Sequence, residues 1–158
     1  SMTVIPDCTV GDACNIALKD RSIDFLITSQ VIEHVIDDGL MSDEMYRVLA
    51  NDGVAYIGTV FKKWYGWYFY RCNGKWTLDP THIREYSREA DLLDKLAQSG
   101  FRVIENRKTL DGRPIMDSLL RRLGAGRDIY SHKSLRFLRS IRMPIPGYYI
   151  WELLCKKC

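Results

Sequence analysis

The sequence predicts an α/β domain built on a mostly parallel sheet, and three observations predict it. Two nearly continuous apolar runs, "IDFLIT" (residues 23–28) and "VAYIGTV" (54–60), have the composition of strands covered on both faces. Two other stretches, "LMSDEMYRVLA" and "READLLDKLAQSG", space their apolar residues as amphipathic helices do. The chain therefore alternates strand, helix, strand, helix, strand, and each crossover is long enough to hold a helix. That order favours parallel pairing with right-handed connections.

Each element has its own reason. "TVIPDCTVGDA" is short and β-rich and ends at Gly11-Asp12, a strand-to-loop exit. "KDRS" reads as a turn before the strand Ile23–Thr28. The following helix places Leu40, Met41, Met45, Val48 and Leu49 on one stripe, and Asn51-Asp52-Gly53 supplies residues able to stop it at positive φ. After the second buried strand, "FKKWYGWYFYRCNGKW" packs aromatics and cations into an irregular stretch. Pro80 then discourages helix until Ser87 offers an N-cap. Leu92, Leu93, Leu96 and Ala97 form the next apolar stripe, closed by Gly100. "FRVIENRKT" is a third strand and "GYYIWELLCKK" a closing one, whose relative direction the long connection between them leaves open.

The 158 residues predict a single domain able to bury a core, with insertions at about 61–80 and 111–143. No apolar run approaches the roughly 20 residues of a spanning helix. Five cysteines, an odd number without framework spacing, suit a reducing, cytoplasmic setting. Cys155 and Cys158 form a terminal C-x-x-C, but zinc would need two further ligands. The net charge of +3 hides an asymmetry: residues 1–100 carry 10 Lys/Arg against 15 Asp/Glu, and residues 101–158 carry 13 against 5. A basic final third can meet an anionic substrate, a membrane surface or nucleic acid, or be a solvated face.

Ligands in parallel sheets sit beyond the carboxyl ends of the strands. Two polar strand exits, "GDA" and "TSQVIEH", fall at that edge, and their order makes the chain recognisable. Gly11-Asp12-Ala13, Ile23-Asp24, Glu33-His34-Val35 and Arg47-Val48-Leu49 with Gly53, followed by "THIREYSREADLLDKLAQSGFRVIE", resemble the central and later part of a class I S-adenosylmethionine-dependent methyltransferase of the small-molecule type 11 family. The resemblance covers about residues 9–108 and the closing strand.

The resemblance implies a Rossmann-like sheet with an antiparallel last strand. It also implies S-adenosyl-L-methionine as cofactor and methyl transfer to a small or lipid-like acceptor. Asp12 would accept from the adenine amino group, an ionised carboxylate being acceptor-only, with Gly11 and the Ala13 amide beside the ring. Ser29, Gln30 and Val31 would form the floor beside the methionine part. Each has a bland alternative: Asp12 as the cap of its own turn, the polar strand end as a helix cap.

His34 and His82 are the candidate catalytic residues, since an imidazole titrates near neutrality; the alternative for His34 is a structural pair with Glu33. Some relatives bind a divalent metal with a Glu-x-x-Glu-His run, but here neutral Gln30 replaces the first glutamate, so no metal is expected. Trp64, Tyr65, Trp67, Tyr86 and Arg113 are the candidate substrate-binding residues, with Tyr68, Trp76, Arg121, Arg122 and Arg127 near them. They suit a flat or lipid-like molecule carrying an anionic group, unless the aromatics form a satellite core.

The family's glycine-rich loop has no counterpart, because no G-x-G precedes residue 100. The expected sheet therefore lacks its first two strands and leaves an open edge, which a homodimer could cover. The chain is read as a portion of a longer methyltransferase, with weak cofactor binding of its own. A degenerate methyltransferase or non-catalytic Rossmann-like partner subunit is the second reading. A nucleic-acid-binding module, suggested by aromatics among cations, is the third and least favoured.

Overall fold

A computed structural model describes residues 9–68, 70–72, 74–113 and 142–158. The elements are β1 (Ile23–Ser29), α1 (Asp38–Val48), β2 (Leu49–Lys62), β3 (Tyr70–Cys72), β4 (Lys75–Thr77), α2 (Ala90–Gln98), β5 (Phe101–Arg113) and β6 (Met143–Lys157). Four strands form one sheet in the order β1-β2-β6-β5, while β3 and β4 make a separate two-stranded hairpin. β1 and β2 pair in parallel. β6 runs antiparallel to both neighbours and lies between β2 and β5. Three strands thus share one direction and the closing strand opposes them, which settles the direction that spacing left open.

The main core lies on one face of this sheet, and a smaller cluster of Val60, Leu78, Ile145 and Tyr148 is buried apart from it. Alternate residues of β2 and β6, Ala55, Ile57 and Phe61 with Trp151, Leu153 and Cys155, pack against Met41 and Met45 of α1 and Leu92 and Leu96 of α2. Trp151 is fully buried. Its ring meets Phe61 and Tyr86 edge-on at centroid distances of 5.4 and 5.9 Å, and its indole N–H donates to Asn106 at 2.8 Å. On the opposite face Tyr56 donates to Glu152 at 2.7 Å, and Arg107 pairs with the same carboxylate at 3.0 Å. Among the described residues β1 is the edge strand, and it is not covered on both faces as its apolar run led one to expect: Phe25 and Ile27 on that second face are 52 and 66% exposed.

Buried Lys157 donates to the carbonyls of Tyr46 and Leu49 at 2.6 and 2.8 Å, closing the end of α1. Arg47 ties the 16–20 loop down through the carbonyls of Ile16 and Leu18 and the carboxylates of Glu44 and Asp20.

Several local expectations change. α1 begins at Asp38, capped by the Asp37 carboxylate on the Leu40 N–H at 3.0 Å, and Leu40 itself faces outward. The helix ends at Val48 because Leu49 is already extended and paired with Ile23. Asp52, not Gly53, takes positive φ. Gly53 is needed for closeness: a Cβ there would lie 2.8 Å from the Ala50 carbonyl oxygen. Ser87 does not cap α2, which starts at Ala90 after Glu89 with no side-chain cap bond. The Glu89 carboxylate is held by Lys108 and Asn106 instead. Cys155 and Cys158 lie three apart on an extended strand, so they face opposite sides. One is buried, with its thiol pushed up to about 12 by that burial, and the other is exposed. Most of the second insertion, including Arg121, Arg122 and Arg127, lies outside the described residues. So do residues 1–8 of the expected first strand.

Candidate active site

The site is built at the carboxyl end of β1. Ser29 pairs with Gly58 of β2, and Gln30 follows with φ 57, donating its N–H to the Gly58 carbonyl at 2.8 Å. A glutamine held left-handed at a strand exit is a local strain that the surrounding contacts must maintain. Gly58 keeps this corner open, for a Cβ there would lie 3.2 Å from Ser29 Oγ. Ser29 and Gln30 line a cavity of about 330 Å³ together with Val60, Ile150, Asp111, Gly112 and Arg142. The cavity reaches from the corner past the carboxyl ends of β2 and β5, with Ile150 from the middle of β6 between them. Val31 is partly exposed beside it.

Asp12 sits on the same rim but not in that cavity. Its carboxylate accepts from the Cys14 N–H at 2.8 Å, capping its own turn, and its other oxygen has no protein donor among the described residues. Gly11 is exposed, and Ala13 and Cys14 pack against the core. Cys14 Sγ contacts the Asp37 carbonyl at 3.3 Å. The 12–14 turn is thereby fixed at the start of α1, at the far end of the 29–37 segment from Ser29 and Gln30. Both corners occupy one end of the fold, with segment 31–36 between them.

Arg84 holds that segment in place. Its guanidinium donates to the carbonyls of Ile32, Val35 and Ile36 at 2.6–3.0 Å. Below it Glu33 is fully buried: Oε2 accepts from Thr59 at 2.9 Å, and Oε1 has no partner. His34 Nδ1 bonds the Thr81 carbonyl at 3.1 Å, and His82 Nδ1 bonds Glu85 at 3.0 Å. The two imidazoles meet edge-on with centroids 4.8 Å apart. Because each ring is pinned through Nδ1, each Nε2 is left as the available atom.

Glu33, His34 and His82 bring three ligand atoms within 4.8 Å of one another, so this is the set that could hold a cation. The fold brings His82 beside Glu33 and His34, a proximity that the spacing of Gln30, Glu33 and His34 along the sequence does not show.

Glu85 is the second anchor that sequence reading missed. It accepts from Thr77 Oγ1, the Leu78 N–H, His82 and Tyr148 at 2.6–3.1 Å, and Lys62 lies 3.3 Å away. Burial pushes its carboxyl upward, but the His82, Leu78 and Thr77 hydrogen bonds and the Lys62 charge outweigh that and bring it down to about 2. Burial, with the Glu85 charge beside it, pushes the Tyr148 phenol up. A run of exposed-looking polar letters, "THIRE", gave no sign that two of its members would be buried anchors.

The aromatic candidates divide. Trp64, Tyr65 and Trp67 are exposed, at 92, 48 and 43%. Tyr86 is not on a substrate wall: it is 3% exposed in the core and donates to the buried Asp38 carboxylate at 2.8 Å. Its β-bridge to Phe61 draws the ring beneath the sheet. Arg113 ends β5, its backbone paired with Met143.

The comparisons agree with this architecture. The Methyltransferase domain family matches residues 2–57. A curated relative from Mycolicibacterium smegmatis, "Probable S-adenosylmethionine-dependent methyltransferase", is 33% identical over 98 residues. That match takes in 61% of this chain but 35% of the relative, so the chain spans about a third of that protein's length. A SAM-dependent methyltransferase from Methanosarcina mazei superposes with TM-score 0.59 at 14% identity, covering 94% of this chain and 66% of the other. The [4+2]-cyclase SpnF superposes at 0.61 and 17%, covering 94% and 54%. At such identities the likeness is one of fold, and a fold alone does not name a reaction. The chain is thus similar in sequence to the Methyltransferase domain family over residues 2–57, and similar in fold over nearly all its length to solved S-adenosylmethionine-dependent methyltransferases.

Proposed function

We propose that this chain forms the acceptor-side part of an S-adenosyl-L-methionine-dependent methyltransferase acting on a small or lipid-like molecule. The observation that carries the reading is the strained Ser29–Gln30 corner opening onto a cavity across the carboxyl ends of β1, β2 and β5. Such a carboxyl-end hollow is where ligands of parallel sheets bind. In this reading Ser29, Gln30 and Val31 hold the methionine end of the cofactor, and Asp12, with Gly11 and Ala13, holds the adenine.

When bound, the cofactor supplies an electrophilic methyl group, and the chain's own task is positioning. His34 would accept the acceptor's proton at Nε2 while Thr81 holds Nδ1, and His82, oriented by Glu85, would support that ring. Trp64, Tyr65 and Trp67 would meet the acceptor's apolar part. Arg113 belongs to the same proposal as a partner for an anionic group. The exposed Phe25 and Ile27 of β1 support a homodimer that covers this edge.

The test is an NMR titration of the isotope-labelled chain with S-adenosylhomocysteine. Weak binding, with Kd ~1 mM, is expected, with shifts gathered at Ser29, Gln30, Val31 and Gly58. Shifts that leave out Ser29, Gln30 and Gly58, or none at millimolar ligand, would reject the reading. SpnF, a cyclase on a similar fold, favours a second reading in which the same hollow serves a different or non-catalytic role. Absence of shifts in the 12–31 rim would point to it.

A further inference from the structure

We propose that the aromatic segment after β2 is a docking surface for an anionic lipid bilayer. Residues 61–78 contain eight aromatic side chains and four Lys/Arg, and no Asp or Glu. Phe61 enters the main core, and Leu78 and Tyr68 join a small second cluster, but most of the other aromatics stay outside both. Trp64 is 92% exposed, and Tyr65, Trp67, Tyr70 and Trp76 stand out as well. Lys63, Arg71 and Lys75 are exposed among them.

The surface is built rather than loose. The Lys63 and Trp67 N–H groups donate to the carbonyls of Gly147 and Pro146 at 2.8 and 3.3 Å, which fixes the Trp64–Tyr65 turn on the start of β6. Gly147 has φ 75, and a Cβ there would lie 2.6 Å from Gly66 Cα, so this contact is backbone on backbone. The β3–β4 hairpin adds Trp76, which meets Trp67 at 5.7 Å and carries the Arg71 guanidinium over its ring at 5.3 Å.

Three arguments select the partner. Tryptophan and tyrosine have an apolar body and a polar edge, which suits the level of lipid headgroups. A patch with cations and no carboxylate is complementary to an anionic surface. Single-stranded nucleic acid also favours aromatics and cations, but it needs ring faces free for stacking. Here Trp67 and Trp76 meet edge to face and Arg71 already lies over Trp76, so there is no row of open ring faces, Trp64 being the tryptophan that stands free of the surface. The turn also lies on the part of β6 that leads to the cavity wall at Ile150, so a docked bilayer would lie beside the cavity.

The proposal does not depend on methyl transfer, and its test uses the chain without cofactor. Co-sedimentation and tryptophan emission would be followed with phosphatidylcholine vesicles, with and without about one-third phosphatidylglycerol. Binding is expected to the anionic vesicles only, with a blue shift of emission. The triple variant Lys63→Gln, Arg71→Gln, Lys75→Gln should bind about a hundredfold more weakly, at about fivefold per cation. The variant Trp64→Ala, Tyr65→Ala should lose the blue shift while keeping the wild-type circular dichroism.

A control triple of equal charge change, Lys19→Gln, Arg102→Gln, Lys156→Gln, should lose little. Three results would overturn the proposal: no vesicle binding, an equal loss in the control triple, or steeply salt-dependent binding to poly(U) with none to vesicles.

Discussion

Glu85 shows how much one side chain can decide at this site. It joins the hairpin, β2, β6 and His82, and its folded carboxyl titrates at about 2 against an ordinary 4.5. A lowered carboxylate contributes stability above its unfolded value and loses it as pH falls toward the folded one. Its contribution of about 3 kcal/mol at neutral pH should therefore disappear between about pH 4.5 and 2. Urea denaturation at pH 7 and pH 3 measures this. The wild type should lose about 2 kcal/mol of it by pH 3, and Glu85→Gln should start less stable at pH 7 and lose correspondingly less. Equal acid sensitivity in both proteins would remove Glu85 from the account.

At the scale of elements, α1 and α2 are held by the faces they turn to the sheet. Leu96 is fully buried between α2 and the strands, whereas Leu40 is 53% exposed although it falls on the same expected stripe as Met41. Leu96→Ala should cost about 3 kcal/mol in thermal or chemical denaturation, as a core truncation that leaves a cavity. Leu40→Ala should change stability by less than about 0.5 kcal/mol. The stripe was legible for Met41, Met45 and Val48 because they repeat at helical spacing. The β3–β4 hairpin was not, since residues 61–76 lack clear alternation and read as irregular.

The whole molecule is a sheet with both described helices on one face and an apolar edge at β1. Phe25 and Ile27 lie on the uncovered face of that edge, where a further strand or another copy could pair. If two copies meet there, the apparent mass by sedimentation velocity will rise with concentration. Ile27→Lys should hold the chain monomeric while leaving its circular dichroism unchanged. A concentration-independent monomer in the unsubstituted chain would remove the dimer.

The sequence by itself determined the strand–helix alternation, the buried character of β2, and the two polar corners at one end of the sheet. These are local properties, written in composition and spacing. The antiparallel closing strand was implied by the family resemblance and not by spacing, since no spacing rule sets the direction of a strand after a long connection. Only the tertiary structure decided that β1 stays an exposed edge among the described residues. It also decided which members of "THIREY" become anchors. His82, Arg84, Glu85 and Tyr86 are neighbours in sequence, yet they serve an imidazole pair, a carbonyl clamp, a buried carboxylate and the core. Those assignments depend on groups brought from Ile32–Asp38, Lys62 and Tyr148, and such long-range partners leave no trace in the local pattern of letters.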